Sequence, residues 1–306
     1  MYLPIPKIAV ALLLTGVAQS ACAGPNRHPL RERAAERRDA PRVQERSEAA
    51  TFAGVRIERD IAYGSDPAQR LDVYRPEHAA SAPVIFMVHG GGWTRGDKGA
   101  SNVVEKKVRQ WVPEGYAFIS VNYRLSPAVN PLEEADDVAR ALAFAQSHAA
   151  SWGADPLRFL LMGHSAGGHL VSLLTADPRI ATRRGARPWL GTVSLDAAGY
   201  DIVEIMESRH FPLYDAVFGD DQDLWRAASP TLRLENAPVP VLLVCSSRRA
   251  ISCPQARGFA ARATSLGGRA GVLPIDMTHE EINKLLGADS AYTSEVDAFI
   301  RSLEMK

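Results

Sequence analysis

Apolar residues of this chain cluster in short runs, most of which lack the alternation of a half-buried strand. Unbroken runs are typical of strands buried on both faces, which belong to parallel sheets covered by helices. Two earlier segments, Val55–Ile61 and Arg70–Tyr74, alternate better and are predicted as antiparallel edge strands. The predicted core strands are Val84–Val88, Ala117–Val121, Phe159–Met162, Thr192–Leu195, Val239–Val244 and Val272–Ile275.

Segments with apolar residues at three-and-four spacing lie between these runs and predict helices. One begins at Pro131, one follows Ser165, one begins near Pro254, and one runs from Ser290 to Leu303. The alternation of strands and helices predicts an α/β fold: one mostly parallel, eight-stranded sheet with helices on both faces. Reactive groups of such a sheet are expected at the carboxyl ends of its strands.

A serine stands at the most informative of these strand-to-helix junctions. The run Arg158–Met162 breaks into Gly163-His164-Ser165-Ala166-Gly167-Gly168 and then continues apolar. A strand that ends in a sharp turn opening a helix exposes a serine hydroxyl, and small neighbours avoid backbone clashes. Ser165 is therefore the predicted nucleophile.

A second motif, His89-Gly90-Gly91-Gly92-Trp93, follows the buried strand that ends at Val88. A glycine run of this kind leaves backbone N–H groups available to bind a developing oxyanion. The predicted oxyanion hole consists of the N–H groups of Gly91, Gly92 and Ala166.

These two motifs, in this order, resemble the α/β-hydrolase esterases of the HGGG type. This group includes feruloyl and acetyl-xylan esterases, arylformamidases and hormone-sensitive-lipase-like carboxylesterases, and the resemblance covers most of residues 51–306. It implies the α/β-hydrolase fold over a domain of residues 51–306. Residues 197–238 form the longest interval between two core strands, contain several aromatic residues and are interpreted as a small lid, where the resemblance implies that substrates are selected. Further matching segments are Asn122–Leu125, Asp155–Arg158, Ala228-Ser229-Pro230 and the late His279.

The resemblance makes His279 the expected base, because it follows the last core strand and comes after the nucleophile in the chain. His89, His164 and His169 are interpreted as structural. The acid is expected after Val244, but residues 245–253 contain no carboxylate. Three hypotheses remain: Asp196 at the end of the sixth core strand orients His279, a Ser–His dyad works alone, or the protein has lost catalysis.

Composition excludes several other classes of protein. The chain has 306 residues with 35 basic and 35 acidic side chains, so no net charge attracts nucleic acid. The sequence indicates no metal or organic cofactor, and His279-Glu280-Glu281 lacks the second histidine of a zinc-protease motif. No apolar run reaches the roughly 20 residues of a membrane-spanning helix.

The amino-terminal residues have the pattern of an export signal. Lys7 precedes an apolar stretch, and Ala21-Cys22-Ala23 fits a signal peptidase site, so residues 1–23 are predicted as a signal peptide. Cys22 is alternatively a site of lipoprotein attachment. The arginine-rich residues 24–50 are predicted as a disordered linker. We expect a periplasmic or secreted protein, in which Cys245 and Cys253 form a disulfide.

The function expected from these features is hydrolysis of carboxylic esters with small acyl groups by a serine nucleophile, and the resemblance favours acylated saccharides among the substrates. An arylformamidase-like amide hydrolase is the first alternative. A non-catalytic binding protein on the same scaffold is the second, suggested by the missing acid. The oligomeric state is left open by the sequence.

Overall fold

The computed structural model describes residues 52–303. The predicted signal peptide (1–23), the option of lipid attachment at Cys22 and the predicted linker (24–50) lie outside these residues. The described part contains one eight-stranded sheet in the order β1-β2-β4-β3-β5-β6-β7-β8. Its strands are β1 (Val55–Ala62), β2 (Arg70–Pro76), β3 (Ala82–Val88), β4 (Ala117–Val121), β5 (Ala154–His164), β6 (Gly191–Leu195), β7 (Val241–Ser246) and β8 (Ala270–Ile275).

The sheet is parallel from β4 through β8, and β2 pairs antiparallel with both β1 and β4. The prediction of a mostly parallel eight-stranded sheet is therefore confirmed. The prediction that both early strands lie at an edge holds for β1 alone. Arg70–Tyr74 lies inside the sheet, where Leu71 and Val73 are fully buried between two neighbouring strands.

Helices cover the sheet on both faces, and a short 3-10 turn, Ala149–Trp152, precedes β5. The helices are α1 (Ser101–Trp111), α2 (Pro131–His148), α3 (Ala166–Ala176), α4 (Arg179–Thr182), α5 (Ile202–Glu207), α6 (Pro212–Phe218), α7 (Gln222–Ala227), α8 (Pro230–Arg233), α9 (Ser252–Ser265), α10 (His279–Leu285) and α11 (Ala291–Arg301).

Strand β3 shows why the apolar runs do not alternate. Val84 and Phe86 contribute to the hydrophobic cluster that includes α2 and α3, whereas Ile85 and Met87 contribute to the cluster that includes α1 and α11. Successive side chains of a strand point to opposite faces, and here both faces are covered by helices. All seven residues of β3 are buried as a result.

Local sequence signals account for the start of α2. Pro131 occupies the first turn of α2, and Asn130 caps it by accepting the N–H groups of Leu132 and Glu133. The side chain of Glu133 accepts the N–H of Asn130, which completes a capping box. This helix is the one that the sequence predicts to begin at Pro131.

Residues 197–238, the predicted lid, contain the four short helices α5 to α8. Several aromatic side chains of this segment pack it against the rest of the described residues. Tyr214 and Phe218 contact Trp93 at ring-centroid distances of 5.8 and 5.1 Å. Tyr200 packs against Phe259, with ring centroids 5.3 Å apart.

Candidate active site

Ser165 lies between β5 and α3 in a strained turn. Its φ of 54° and ψ of −120° are unusual for a residue other than glycine. Its N–H donates to the carbonyl oxygen of Leu195 on β6, and its own carbonyl accepts the N–H of His169, each at 2.9 Å. Such strain persists only where surrounding contacts hold it, and it is typical of functional sites.

The glycines around Ser165 are required by close backbone approaches. A methyl group added at Gly163 would lie 2.3 Å from the carbonyl oxygen of Gly167. One added at Gly167 would lie 2.2 Å from the carbonyl oxygen of Val88, where β3 ends. The small residues of the serine motif therefore bring the start of α3 directly against the two central strands.

His279 is the first residue of α10 and reaches the serine hydroxyl. Its Nε2 lies 2.9 Å from Ser165 Oγ, although 114 residues separate the two in the sequence. Thr278 and Glu281 form a capping box that fixes the start of this helix. The pattern Thr278-x-x-Glu281 is the sequence signal that would have predicted α10, which the apolar periodicity did not reveal.

Buried Lys107 of α1 anchors the same helix. Its Nζ donates to the carbonyl oxygen of Asn283 at 2.6 Å and to the side-chain oxygen of Asn283 at 2.9 Å. Burial lowers the pKa of Lys107 to about 7. Lys107 thus ties the helix that carries His279 to α1.

Asp196, at the end of β6, lies against the far nitrogen of His279. The distance between His279 Nδ1 and Asp196 Oδ2 is 2.6 Å. Asp196 has a positive φ of 49°, which aspartate tolerates better than most residues. Of the three hypotheses for the acid, this geometry fits the one that assigns Asp196 to orient His279.

The loop between β7 and α9 holds this carboxylate instead of supplying one. Ser246 donates its backbone N–H to Asp196 Oδ1 at 2.7 Å, and Ser252 donates its hydroxyl to the same oxygen. Arg249 donates from Nη1 to Asp196 Oδ2 at 2.8 Å. The sequence analysis did not identify Ser246, Arg249 or Ser252, because their partner is distant in the chain.

The disulfide predicted from the sequence closes this loop. Cys245 and Cys253 are joined, and they flank the three residues that donate to Asp196. Cys245 is fully buried and Cys253 is nearly so. The disulfide therefore braces the segment that surrounds the candidate acid.

Asp196 is ionised at neutral pH despite its burial. Burial by itself would raise the pKa of the carboxyl, but the charge of Arg249 and the hydrogen bond with His279 outweigh it. The net effect holds the pKa of Asp196 well below its usual range. The carboxylate can thus accept the Nδ1–H of His279, which leaves Nε2 free to accept the proton of Ser165.

The predicted oxyanion hole lies against this turn. A methyl group added at Gly90 would lie 2.9 Å from Ser165 Cβ, so the glycine run contacts the serine directly. Gly91 and Gly92 both adopt positive φ. Within residues 52–303, the N–H groups of Gly91, Gly92 and Ala166 have no intramolecular acceptor, as an oxyanion hole requires. Their catalytic role stays a prediction.

The other histidines near Ser165 support the site. His164 donates from Nε2 to the carbonyl oxygen of His279 at 3.0 Å, and burial together with the adjacent His279 lowers its pKa well below the usual value. His169 accepts the indole N–H of Trp93 at 3.1 Å and donates to the carbonyl oxygen of Ala228 at 2.7 Å. His169 thereby links the glycine run to residues 197–238.

His89 lies beside the glycine run at the end of β3. Its Nδ1 donates to the carbonyl oxygen of Gly90 at 2.8 Å, and its ring stacks on Tyr123 at 4.6 Å. The side chain is buried, and burial lowers its pKa. It therefore stabilises the glycine run and lies outside the contacts between Ser165 and His279.

Neither a metal site nor a membrane-spanning helix occurs within residues 52–303. In the described part of the chain, no group of histidine, cysteine, aspartate and glutamate side chains has the arrangement of a metal site. None of the helices in residues 52–303 combines the length and the apolar character needed to cross a membrane.

This chain is similar in sequence to several known ester hydrolases. Residues 71–182 match the family model described as BD-FAE. A probable carboxylic ester hydrolase LipM of Mycobacterium tuberculosis is 31% identical over 226 residues, which cover 65% of this chain and 50% of that protein. The isoprenylcysteine alpha-carbonyl methylesterase ICME of Arabidopsis thaliana is 26% identical over 253 residues, covering 76% and 58%. The chain thus spans about half the length of these curated relatives.

Solved structures show the fold. Esterase B from Lactobacillus Rhamnosis superposes with a TM-score of 0.67 at 21% identity, covering 90% of this chain and 91% of that one. A bacterial heroin esterase superposes with a TM-score of 0.67 at 22% identity, covering 84% and 86%. The α/β-hydrolase fold expected from the two motifs is confirmed.

Proposed function

We propose that this chain is a serine esterase that hydrolyses carboxylic esters with small acyl groups through an acyl-enzyme. The observation that carries the proposal is the continuous set of contacts from Ser165 Oγ to His279 Nε2 at 2.9 Å and from His279 Nδ1 to Asp196 Oδ2 at 2.6 Å. Serine esterases with a catalytic triad use this arrangement, in which the serine hydroxyl contacts a base and the base contacts an orienting carboxylate.

The reaction follows from these contacts. Ser165 Oγ attacks the carbonyl carbon of the ester while its proton passes to His279 Nε2, and Asp196 stabilises the imidazolium that forms. The N–H groups of Gly91, Gly92 and Ala166 bind the oxyanion of the tetrahedral intermediate. The intermediate collapses, and the departing alcohol takes the proton from Nε2. Water then cleaves the acyl-enzyme by the same steps.

The preference for small acyl groups is supported by the lid. A methyl group added at Gly92 would lie 2.8 Å from Cδ2 of Leu213, the second residue of α6. A leucine of the predicted lid therefore occupies space beside the glycine run, which supports a binding site for small acyl groups. Acetylated saccharides and simple aryl esters of small acids are the substrates we propose.

The other two functions considered from the sequence have weaker support. The hypothesis of a non-catalytic binding protein depended on a missing acid, and Asp196 lies where an acid is needed. Formamide cleavage would use the same serine and histidine, and the geometry of the described residues does not favour it over ester cleavage.

We also propose that the protein is exported. The disulfide between Cys245 and Cys253 supports this proposal, because disulfides persist in oxidising compartments. The amino-terminal pattern of residues 1–23 supports it as well.

Labelling with a fluorophosphonate tests the catalytic proposal. We expect the wild-type protein to react and Ser165→Ala to remain unlabelled, because the phosphonate bonds to an activated serine. The same pair is then assayed with acetate, butyrate and decanoate esters of one chromogenic phenol and with a formanilide. Labelled protein that cleaves decanoate faster than acetate would contradict the acyl preference, and an unlabelled folded wild type would contradict the esterase itself.

A further inference from the structure

We propose that Arg249 is the positioning residue of the triad: its guanidinium holds Asp196 in the orientation in which the carboxylate receives His279. This inference rests on the esterase proposed above and adds a residue to its machinery. The contacts of one carboxylate, and the loop that supplies them, carry the argument.

Asp196 is surrounded by donors on both of its oxygens. Oδ1 accepts from Ser246 and Ser252, and Oδ2 accepts from Arg249 Nη1 at 2.8 Å as well as from His279 Nδ1 at 2.6 Å. The side chain of Asp196 is fully buried. A carboxylate without water needs such donors to remain both ionised and fixed in direction.

Arg249 differs from the other donors because it carries a full charge and because it contacts the shared oxygen. Its Nη1 also donates to the backbone carbonyl of Asp196 at 3.2 Å, so Arg249 contacts both the side chain and the backbone of this residue. The same nitrogen lies 3.1 Å from His279 Nδ1. Arg249 therefore occupies the position from which it can set the direction of Oδ2 towards the imidazole.

The loop restricts the conformations of the Arg249 side chain, so little conformational entropy is lost when it contacts Asp196. The disulfide joins Cys245 and Cys253, which are eight positions apart in the sequence, and Arg249 lies inside the loop that it closes. Its side chain is 18% exposed, so packing also restricts it. A side chain ordered before the substrate binds loses little freedom in the transition state.

The neighbouring arginine provides a matched control. Arg248 belongs to the same loop and carries the same charge, but it pairs with Asp276 at 2.8 Å and with Glu281 at 3.4 Å. Its contacts do not include Asp196. Arg248→Met thus reports the effect of removing a charge from this loop without touching the candidate triad.

The test is a double-mutant cycle on the hydrolysis of an activated acetate ester. We expect Arg249→Met to lower kcat by about ten- to a hundredfold with KM unchanged, since a charge-assisted hydrogen bond is lost from Asp196. Arg249→Lys should recover part of the loss, and Arg248→Met should keep kcat within about twofold of wild type. Because Arg249 acts through Asp196, Arg249→Met should add less than about threefold to the loss caused by Asp196→Asn.

Two results would overturn the proposal. One is a folded Arg249→Met protein whose kcat equals or exceeds that of wild type. The other is a loss in the double variant that equals the product of the two single losses. If Arg249→Met does not fold, Arg249→Lys with and without Asp196→Asn completes the same cycle. Phosphonate labelling of wild type and Ser165→Ala tests the esterase separately, so failure of the esterase is distinguishable from failure of this inference.

Discussion

His279 and Asp196 are 83 residues apart in the sequence, yet their Nδ1 and Oδ2 atoms lie 2.6 Å apart. They are brought together because β6 ends, and α10 begins, at the same edge of the sheet. The acid expected after β7 is absent, and the carboxylate at the end of the neighbouring strand occupies the position beside the imidazole.

This relationship predicts the effect of Asp196→Asn. We expect kcat for an activated acetate ester to fall by roughly 10³ to 10⁴, because an amide neither fixes the histidine tautomer nor stabilises the imidazolium. Asp276→Asn is the control: Asp276 lies three residues before His279 and pairs with Arg248 at 2.8 Å. A loss below tenfold for Asp196→Asn would show that this carboxylate is not the triad acid.

The contact between Gly90 and Ser165 predicts a large effect of one added methyl group. In Gly90→Ala the new Cβ would lie 2.7 Å from the carbonyl oxygen of His164 and 2.9 Å from Ser165 Cβ. We expect unfolding free energy to fall by about 2 kcal/mol or more, and activity to fall with the displaced turn.

Gly258→Ala is the matched glycine variant. Gly258 lies within α9 and has no atom within 4 Å of an added Cβ. Replacing this helical glycine should raise the unfolding free energy by about 1 kcal/mol and leave kcat unchanged. Chemical denaturation and acetate-ester kinetics check both variants, and equal effects of the two would contradict the steric argument.

The disulfide is expected to stabilise both the fold and the loop around Asp196. Reduction, or Cys245→Ala combined with Cys253→Ala, should lower the unfolding free energy by about 2.5 kcal/mol in the chain-entropy model. Because Ser246, Arg249 and Ser252 lie within the closed loop, kcat should fall while KM changes little. Denaturation of oxidised and reduced protein, with intact mass to confirm the bond, measures the first effect. A reduced protein as stable and as active as the oxidised one would contradict it.

The buried carboxyl group of Glu134 on α2 should make the unfolding free energy depend on pH. Its side chain is fully buried, Oε1 accepts the N–H of Ser126 at 3.1 Å, and Oε2 has no hydrogen-bond partner within residues 52–303. Burial raises the pKa of Glu134 to about 9, against about 4.3 in an unfolded chain. Between these values the folded state keeps a proton that the unfolded state has released, so stability falls as pH rises through this window.

Glu134→Gln removes that titration while it retains the acceptor for Ser126. The unfolding free energy of the variant minus that of wild type should therefore increase by roughly 2 to 4 kcal/mol between about pH 5 and about pH 8. Urea denaturation at the two pH values measures the difference. A constant difference would show that Glu134 titrates alike in the folded and unfolded states.

Local sequence patterns were sufficient to predict the presence of the strands and of most of the long helices, and to locate the two motifs. The limits of β3 and β4 were predicted closely, because unbroken apolar runs mark strands covered on both faces. The prediction for β5 covered Phe159–Met162, whereas the strand runs from Ala154 to His164. Its outer residues are partly exposed and lack the apolar signal. Helix α10 was missed because its signal is a capping box and not an apolar stripe.

The sequence by itself determined which residues form the core, where the chain turns sharply around Ser165, and which two cysteines can pair, because each depends on neighbours a few residues apart. The tertiary structure decided which carboxylate reaches His279 and what holds it there. Asp196, Arg249 and His279 come from three separate elements, and their contacts depend on the order and register of the strands. Patterns along the chain left Asp196 as one of three hypotheses and did not point to Arg249, because neither the order of the strands nor their register can be read from neighbouring residues.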